Sequence, residues 1–128
     1  MTSNDKTVLV VDDASLVRLF YRSTLEQAGF QVEEALNGLE ALEKLLVTRV
    51  DMLVVDVNMP HMDGFSFLEV LRRKELPLGS IPALVTSTEH RQADFDAARA
   101  AGANFYLVKP IDRAVLVEFA SMFCGLPA

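Results

Sequence analysis

The sequence predicts an α/β fold in which a doubly wound parallel sheet is covered by helices on both faces. Short apolar runs rich in β-branched residues alternate five times with longer segments of helical period. Three of the runs, Val8–Val11, Met52–Val55 and Ala83–Val85, are almost uniformly apolar, which is typical of strands buried on both faces. A closed (βα)₈ barrel needs about 250 residues. The (βα)₅ alternation in 128 residues therefore favours an open five-stranded sheet.

The elements follow one another regularly along the chain. The predicted strands are Thr7–Val11, Gln31–Ala35, Met52–Val55, Ala83–Thr86 and Asn104–Val108. The predicted helices are Ser15–Ala28, Gly38–Leu46, Phe65–Lys74, Ala93–Ala101 and a last helix from an Asp112 cap to about Phe123. Ser15 is the expected N-cap of the first helix, because its hydroxyl can accept an unpaired amide of the first turn. Gly29 and Gly102 are expected to end the first and fourth helices.

Length and composition narrow the class of protein. With 128 residues, of which 51% are hydrophobic and 23% charged, the chain is expected to form one globular domain with its own core. Its single cysteine, Cys124, excludes an internal disulfide and is typical of a reducing compartment, so we expect a cytoplasmic protein. No apolar run approaches the roughly 20 residues of a membrane span. The formal charge of −6 argues against nucleic-acid binding.

Polar side chains stand where four of the predicted strands end. Asp12 and Asp13 follow the first strand, and Asp56, Thr86 and Lys109 end the third, fourth and fifth. Because ligands bind at the carboxyl ends of parallel strands, we expect these residues to form one site. Three carboxylates repel one another unless a cation lies between them. Lys109 supplies one positive charge, and Mg²⁺ is the divalent cation that such oxygen ligands favour.

The residues of this site fit phosphoryl transfer. Asp56 could complete the metal coordination sphere or act as a nucleophile toward phosphorus. Asn58 can offer its backbone carbonyl to the cation, Thr86 a hydroxyl to a phosphoryl oxygen, and Lys109 a positive charge. Each residue alone has an ordinary alternative as a turn former, a strand residue or a solvated charge. Their recurrence at four strand ends favours the chemical interpretation.

Four segments resemble the receiver domain of bacterial two-component response regulators, most of all the chemotaxis-type single-domain regulators. They are Val-Asp-Asp at 11–13, Val-Val-Asp-Val-Asn-Met-Pro-His-Met-Asp-Gly at 54–64, Leu-Val-Thr-Ser at 84–87, and Ala-Gly-Ala-Asn-Phe-Tyr-Leu-Val-Lys-Pro at 101–110. The resemblance covers residues 7–123. It implies the flavodoxin-like strand order 2-1-3-4-5 and a single receiver domain over 1–128 with no output domain.

The resemblance also assigns a role to each residue of the site. Asp56 would be the phosphoacceptor, and Mg²⁺ would be held by Asp12, Asp13, Asp56 and the backbone carbonyl of Asn58. The phosphate-binding and switch residues would be Thr86, Ser87, Lys109 and Tyr106. The Lys109–Pro110 peptide bond is expected to be cis. The stretch from Thr86 to Lys109 is one residue longer than in chemotaxis-type receivers, which leaves Thr88 and Glu89 as alternatives for the residue beside the phosphoryl group.

The implied function is that of a switch controlled by phosphorylation. A sensor histidine kinase or a histidine phosphotransfer protein would donate the phosphoryl group, and the chain would catalyse only its own phosphorylation and dephosphorylation. A conformational change at the helix 4–strand 5–helix 5 face would then signal to an unknown protein target. One alternative is a phosphorelay intermediate that passes the group between histidines. Another is a metal-dependent phosphatase of the haloacid-dehalogenase type, which needs an acid where this chain has Asn58.

The sequence does not decide the role of two sets of apolar residues. Leu16, Leu19 and Phe20 on the first helix could pack in the core or dock a histidine-bearing helical bundle. The last helix carries apolar residues on more than one face, namely Val115, Leu116, Val117, Phe119, Met122 and Phe123. They could form a broad core-facing stripe or a partner or dimer surface. Cys124 is expected to be a packing residue rather than a reactive thiol.

Overall fold

A computed structural model describes residues 4–126 and contains the five predicted strands and five predicted helices. In chain order they are β1 (Thr7–Val11), α1 (Ser15–Gln27), β2 (Gln31–Ala35), α2 (Gly38–Val47), β3 (Met52–Asp56), α3 (Gly64–Arg72), β4 (Ala83–Ser87), α4 (Gln92–Ala101), β5 (Phe105–Val108) and α5 (Arg113–Phe123). A 3₁₀ turn at Leu78–Ser80 precedes β4 and was not predicted. Within residues 4–126, no helix combines the length and apolar character needed to cross a membrane.

The five strands form one parallel sheet in the order β2-β1-β3-β4-β5, which confirms the predicted topology. Each βα unit returns the chain to the same end of the sheet, so all five carboxyl ends lie along one edge. β3 and β4 each extend one residue beyond the prediction, to Asp56 and Ser87. These polar residues remain in the strands because their backbones still pair with the neighbouring strand.

Apolar side chains alternate between the two faces of the sheet and form two cores. Leu9, Val11 and Leu53 face the core beneath α2, α3 and α4, whereas Val8 and Val10 face the core beneath α1 and α5. All five residues of β3 and of β4 are buried, as expected for the centre of a doubly wound sheet. β5 lies at an edge and leaves two large residues exposed, as discussed below.

The helix ends follow the sequence closely, with one correction at α1. Asn37, Asp63 and Asp112 accept backbone amides as N-caps of α2, α3 and α5. The predicted cap Ser15 is instead the first residue of α1, and Ala14 occupies the cap position. The Ala14 amide donates to Asp12 Oδ1 at 2.9 Å, so an aspartate of the preceding strand end organises this turn.

Candidate functional site

Three carboxylates and one lysine lie together at the carboxyl edge of the sheet. Carboxylate oxygens of Asp12, Asp13 and Asp56 lie within 4.8 Å of one another. Lys109 Nζ lies 3.0 Å from Asp12 Oδ2 and 2.9 Å from Asp56 Oδ1. The side chains of Asp12 and Asp56 are only 2% and 10% exposed, whereas Asp13 is open to solvent. Residues from the ends of β1, β3 and β5 are thus brought into one small pocket.

The register of the sheet and one glycine position the end of β3. Asp56 pairs with Thr86 on β4, and Thr86 in turn pairs with Leu107 on β5. Beyond Asp56 the chain turns back, and the Gly64 amide donates to the Val57 carbonyl at 2.9 Å. A Cβ at Gly64 would overlap the backbone carbonyl of Asp56. The loop can therefore close against the strand end only because residue 64 has no side chain.

The acids and the lysine do not balance in charge. Burial raises the pKa of Asp56, and the charges of Asp12 and Asp13 raise it further, against the lowering effect of Lys109. For Lys109, burial alone would lower the pKa, but hydrogen bonds to Asp56 and Asp12 outweigh it and raise the pKa. Burial is the largest cause of the raised pKa at Asp56, and the sharing of a single lysine by three acids adds to it. The pocket therefore carries excess negative charge.

The donor set fits a hard divalent cation. Three carboxylates that converge within 4.8 Å supply the oxygen ligands that Mg²⁺ prefers, and a bound cation would offset their repulsion. Asn58, the other predicted ligand, lies exposed in the loop between β3 and α3, two residues after Asp56. Asp12, Asp13, Asp56 and the Asn58 carbonyl are the groups that could hold such a cation.

Three residues with hydroxyl groups lie near the ends of β4 and β5, the strands beside β3 on this side of the sheet. Thr86 is fully buried, yet its Oγ1 has no hydrogen-bond partner among residues 4–126. Ser87 is also buried, and its Oγ accepts the Glu89 amide at 3.1 Å. The Tyr106 hydroxyl donates to the Glu89 carbonyl at 2.8 Å, and its ring meets Phe95 edge-on at 4.8 Å. The Tyr21 phenol lies near enough to interact weakly with this hydroxyl, and no shorter hydrogen bond would have to break for a ligand to bind it at this end of the sheet.

The remaining predicted site features lie in the two loops beside the pocket. The Lys109–Pro110 peptide bond is cis, as is the unpredicted Leu76–Pro77 bond. Thr88 and Glu89, the alternatives for the residue beside a phosphoryl group, are both exposed in the loop between β4 and α4.

The structure divides the apolar residues of α1 between core and surface. Phe20 is partly buried against the core, and the Arg113 guanidinium lies 5.1 Å from its ring centre. Leu16 and Leu19 are 78% and 59% exposed. These two leucines form an apolar surface on α1, a few residues beyond the acidic cluster.

The apolar residues of α5 are divided in the same way. Leu116 is fully buried, whereas Met122 is 59% exposed. On the adjacent β5, Phe105 is 47% exposed and packs on Phe119 with ring centres 4.5 Å apart. The core-facing interpretation is therefore confirmed for Leu116, whereas the partner or dimer surface stays a prediction for the exposed residues. Cys124 is buried, as expected of a packing residue.

Two residues near the pocket were missed from the sequence. Arg18 reaches from α1 to the backbone of Asp12. Tyr21 is 2% exposed; burial raises the pKa of its phenol, and Lys109 and Thr86 are close enough to lower it. Tyr21 could have been found from the sequence, because it is a tyrosine at helical spacing from Val17 on the core-facing stripe of α1.

Comparison with known proteins identifies the relatives of this chain. Residues 8–121 match the family model described as the response regulator receiver domain. The chain is 42% identical over 110 residues to the transcriptional regulatory protein PrrA of Mycobacterium leprae, a match that covers 86% of this chain and 46% of PrrA. It thus spans less than half the length of that relative. It is 40% identical over 118 residues to an uncharacterised 14.6 kDa protein of Leptolyngbya boryana, covering 91% of this chain and 88% of the other.

Solved structures agree with the sequence relatives. The chemotaxis response regulator CheY4 of Vibrio cholerae superposes with a TM-score of 0.86 at 35% identity, over 94% of this chain and 99% of that one. The receiver domain of the Francisella response regulator 1452 gives a TM-score of 0.87 at 26% identity, over 94% and 98% of the two chains.

Proposed function

The chain belongs to the response regulator receiver domain family, and from that membership we propose that Asp56 accepts a phosphoryl group from a phosphohistidine of a partner protein. Mg²⁺ held by Asp12, Asp13, Asp56 and the Asn58 carbonyl is the required cofactor. The phosphorylated chain signals through a changed surface rather than by turning over a separate substrate.

The observation that carries this proposal is the position of Lys109. Its Nζ lies about equally far from Asp12 and Asp56, at 3.0 and 2.9 Å, inside a cluster of three acids. One lysine faces three carboxylates, so the acids outnumber the positive charge. Thr86, whose hydroxyl is buried, pairs with Asp56 in the sheet and therefore lies next to this cluster. Cation, carboxylate, lysine and hydroxyl are the components that phosphoryl transfer uses for positioning and for neutralising charge.

The proposed step is an in-line displacement at phosphorus. An oxygen of the Asp56 carboxylate forms a bond to phosphorus while the bond from phosphorus to the donor's imidazole nitrogen breaks, and the imidazole leaves with that electron pair. Asp12, Asp13, Asp56 and the Asn58 carbonyl would hold Mg²⁺, which when bound would supply positive charge to neutralise the transferring oxygens. Lys109, already beside Asp56 Oδ1, contributes its positive charge to the same oxygens. The Asp56 carboxylate, which pairs with Lys109, is itself the nucleophile in this step.

The switch is proposed to start at Thr86. Its hydroxyl gains a phosphoryl oxygen as partner, and the movement makes room for Tyr106 to turn inward. In the structure Tyr106 is held by the Glu89 carbonyl and by Phe95, so turning inward exchanges these contacts for others. The phosphoryl group shifts this equilibrium only by the difference in its affinity for the two conformers, typically about 1–3 kcal/mol.

The primary test is the intact mass of the protein after incubation with Mg²⁺ and acetyl phosphate. The wild type should gain the mass of one phosphoryl group, and neither chelator-treated protein nor Asp56→Asn should gain it. A folded, Mg²⁺-bound wild type that gains no mass would refute the proposed acceptor chemistry. A gain in Asp56→Asn equal to that of the wild type would place the phosphoryl group on another residue.

The donor is proposed to dock on the α1 surface formed by Leu16 and Leu19. A matched pair of variants tests this, because Leu16 and Leu46 are 78% and 72% exposed but lie on different helices. Leu16→Arg should slow phosphotransfer from a phosphorylated histidine-phosphotransfer domain and leave transfer from acetyl phosphate unchanged. Leu46→Arg should change neither rate. Equal rates of protein-to-protein transfer for both variants would refute docking at Leu16.

The output surface is proposed to be the α4–β5–α5 face, where Phe105 and Met122 are exposed and Tyr106 of β5 packs against Phe95 of α4. The face could engage a target protein or a second copy of the chain. Small-angle scattering with and without a phosphoryl mimic separates these outcomes, since only the second changes the mass of the particle in purified protein.

A further inference from the structure

Arg18, near the start of α1, joins three elements beside the acidic cluster. Its Nε donates to Glu34 Oε1 on β2 at 2.8 Å, and its NH1 donates to the backbone carbonyl of Asp12 at 2.8 Å. The Arg18 side chain is 13% exposed and that of Glu34 is 30% exposed, so both bonds are partly shielded from water. A guanidinium is planar and presents its donors in a fixed fork. Because Glu34 holds one edge of the fork, the direction of the donor to Asp12 is also fixed.

The carbonyl that Arg18 holds belongs to the peptide unit between the two neighbouring acids. A peptide unit is planar, so fixing the oxygen of Asp12 fixes the plane through the Cα atoms of Asp12 and Asp13. That plane sets the directions in which both side chains leave the backbone. The Asp12 side chain is held further by the Ala14 amide and by Lys109. Asp13 is exposed, and among residues 4–126 its carboxylate forms no hydrogen bond or ion pair, so its direction depends on the backbone that carries it.

We propose that Arg18 is a positioning residue for the acidic site. By holding the peptide plane between Asp12 and Asp13, it aims both carboxylates at one cation. The inference rests on the proposed function, because it takes the cation to be Mg²⁺ bound by these carboxylates. Arg18 acts through the backbone of Asp12.

Arg22, one helical turn further along α1, offers a matched comparison. Its Nε donates to the second oxygen of Glu34 at 2.6 Å, and its NH1 donates to Glu26 at 2.9 Å. Both arginines therefore pair with Glu34, but it is Arg18 that reaches Asp12. The two residues carry the same charge and belong to the same ion-pair network. They differ in the contact on which the proposal depends.

An effect of the Arg18 charge and an effect of its positioning role predict opposite changes in Mg²⁺ affinity when Arg18 is replaced. Removing a positive charge near the site favours a bound cation, so an effect of charge alone would strengthen Mg²⁺ binding. Releasing the Asp12–Asp13 peptide plane would instead weaken it, because the carboxylates no longer converge. Outer partners that orient metal ligands typically affect metal affinity about 10- to 100-fold.

The experiment compares Mg²⁺ dissociation constants of the wild type, Arg18→Met and Arg22→Met by isothermal titration calorimetry on chelator-treated protein. Arg18→Met should bind about tenfold more weakly than the wild type, and Arg22→Met as tightly or slightly more tightly. A backbone amide shift of Asp13 in metal-free Arg18→Met, absent in Arg22→Met, should accompany the loss. Binding by Arg18→Met as tight as that of the wild type would overturn the proposal.

Arg18→Lys keeps the test decisive if the methionine variant does not fold. Lysine preserves the charge but lacks the fork, so positioning predicts weaker binding, and charge alone predicts no change. Unchanged Mg²⁺ affinity in Arg18→Lys would also overturn the inference. If the wild type itself binds no Mg²⁺, the proposed function fails and the inference with it. If the wild type binds Mg²⁺ and gains a phosphoryl group while the Arg18 variants match it, the positioning role alone fails.

Discussion

Replacing Lys109 with methionine removes one positive charge from between two acids while keeping most of the aliphatic stem. The lysine side chain is 19% exposed, and those of its partners Asp12 and Asp56 are 2% and 10% exposed. Removing one partner of a buried ion pair costs about 3–5 kcal/mol, because the other charge stays buried without compensation. Since the pocket opens to solvent at Asp13, we expect the lower end, a loss of about 3 kcal/mol in the free energy of unfolding without metal.

Urea unfolding at neutral pH measures this loss, followed by circular dichroism because the chain has no tryptophan. Mg²⁺ should raise the stability of Lys109→Met by more than that of the wild type, because the cation replaces the missing charge. Lys44→Met is the control: its 3.7 Å pair with Glu33 is 36% and 45% exposed, and such surface pairs contribute about 0–1 kcal/mol. A loss in Lys109→Met no greater than in Lys44→Met, or equal stabilisation of both proteins by Mg²⁺, would refute the electrostatic reasoning.

The other predictions concern the switch, one backbone position and one thiol. Thr86→Ala should still take up a phosphoryl group on Asp56, as measured by intact mass. It should lose the change that phosphorylation causes in the NMR resonances of the tyrosine rings. Failure of the variant to be phosphorylated would contradict this prediction. Gly102→Ala should lower the urea midpoint of unfolding more than Gly125→Ala. Both glycines have a positive φ, 106° and 72°. Of the two, it is at Gly102 that an added Cβ would meet an arginine side chain, that of Arg72, at 2.6 Å. Burial raises the pKa of Cys124 from 9.0 to about 11. The Cys124 thiol should therefore react far faster with a disulfide reagent in the unfolded than in the native protein. The free energy of unfolding should also fall as pH rises between those two values, because the native state retains the proton that the unfolded state loses. Equal reaction rates, or stability flat across that range, would contradict it.

The sequence predicted the fold well because its strands are short and uniform in character. The strand bounds of β1 and β2 match the structure. β3 and β4 extend one residue further than predicted, to Asp56 and Ser87, and β5 begins one residue later, at Phe105. The residues of the site were predictable because a parallel topology brings the carboxyl ends of the strands to the same side of the sheet. Polar residues at neighbouring strand ends therefore lie close together.

The contacts of α1 could not be predicted, because both of its apolar sets satisfy helical spacing. Val17, Tyr21 and Leu25 form one such set and proved to face the core, whereas Leu16 and Leu19 are exposed. Periodicity alone does not rank two overlapping apolar stripes; the approach angle of the helix to the sheet decides between them. Arg18 was missed for a related reason, since its contact with the Asp12 carbonyl depends on how the β1–α1 turn folds back.

The unpaired hydroxyl of Thr86 suggests how the proposed switch is driven. Burying a polar group without a partner costs about 1–3 kcal/mol, and most such groups in native proteins find one. Among residues 4–126 two buried side-chain oxygens lack a partner, Thr24 Oγ1 in the middle of α1 and Thr86 Oγ1 at the carboxyl edge of the sheet. The Tyr21 phenol is a weak neighbour of Thr86, so the fold bears at most this cost at the position where a phosphoryl oxygen is proposed to arrive. The free energy recovered when the hydroxyl gains that partner is then at most about 1–3 kcal/mol, which is within the range of a typical allosteric coupling. In the proposed switch, this new hydrogen bond would contribute to the movement of Tyr106.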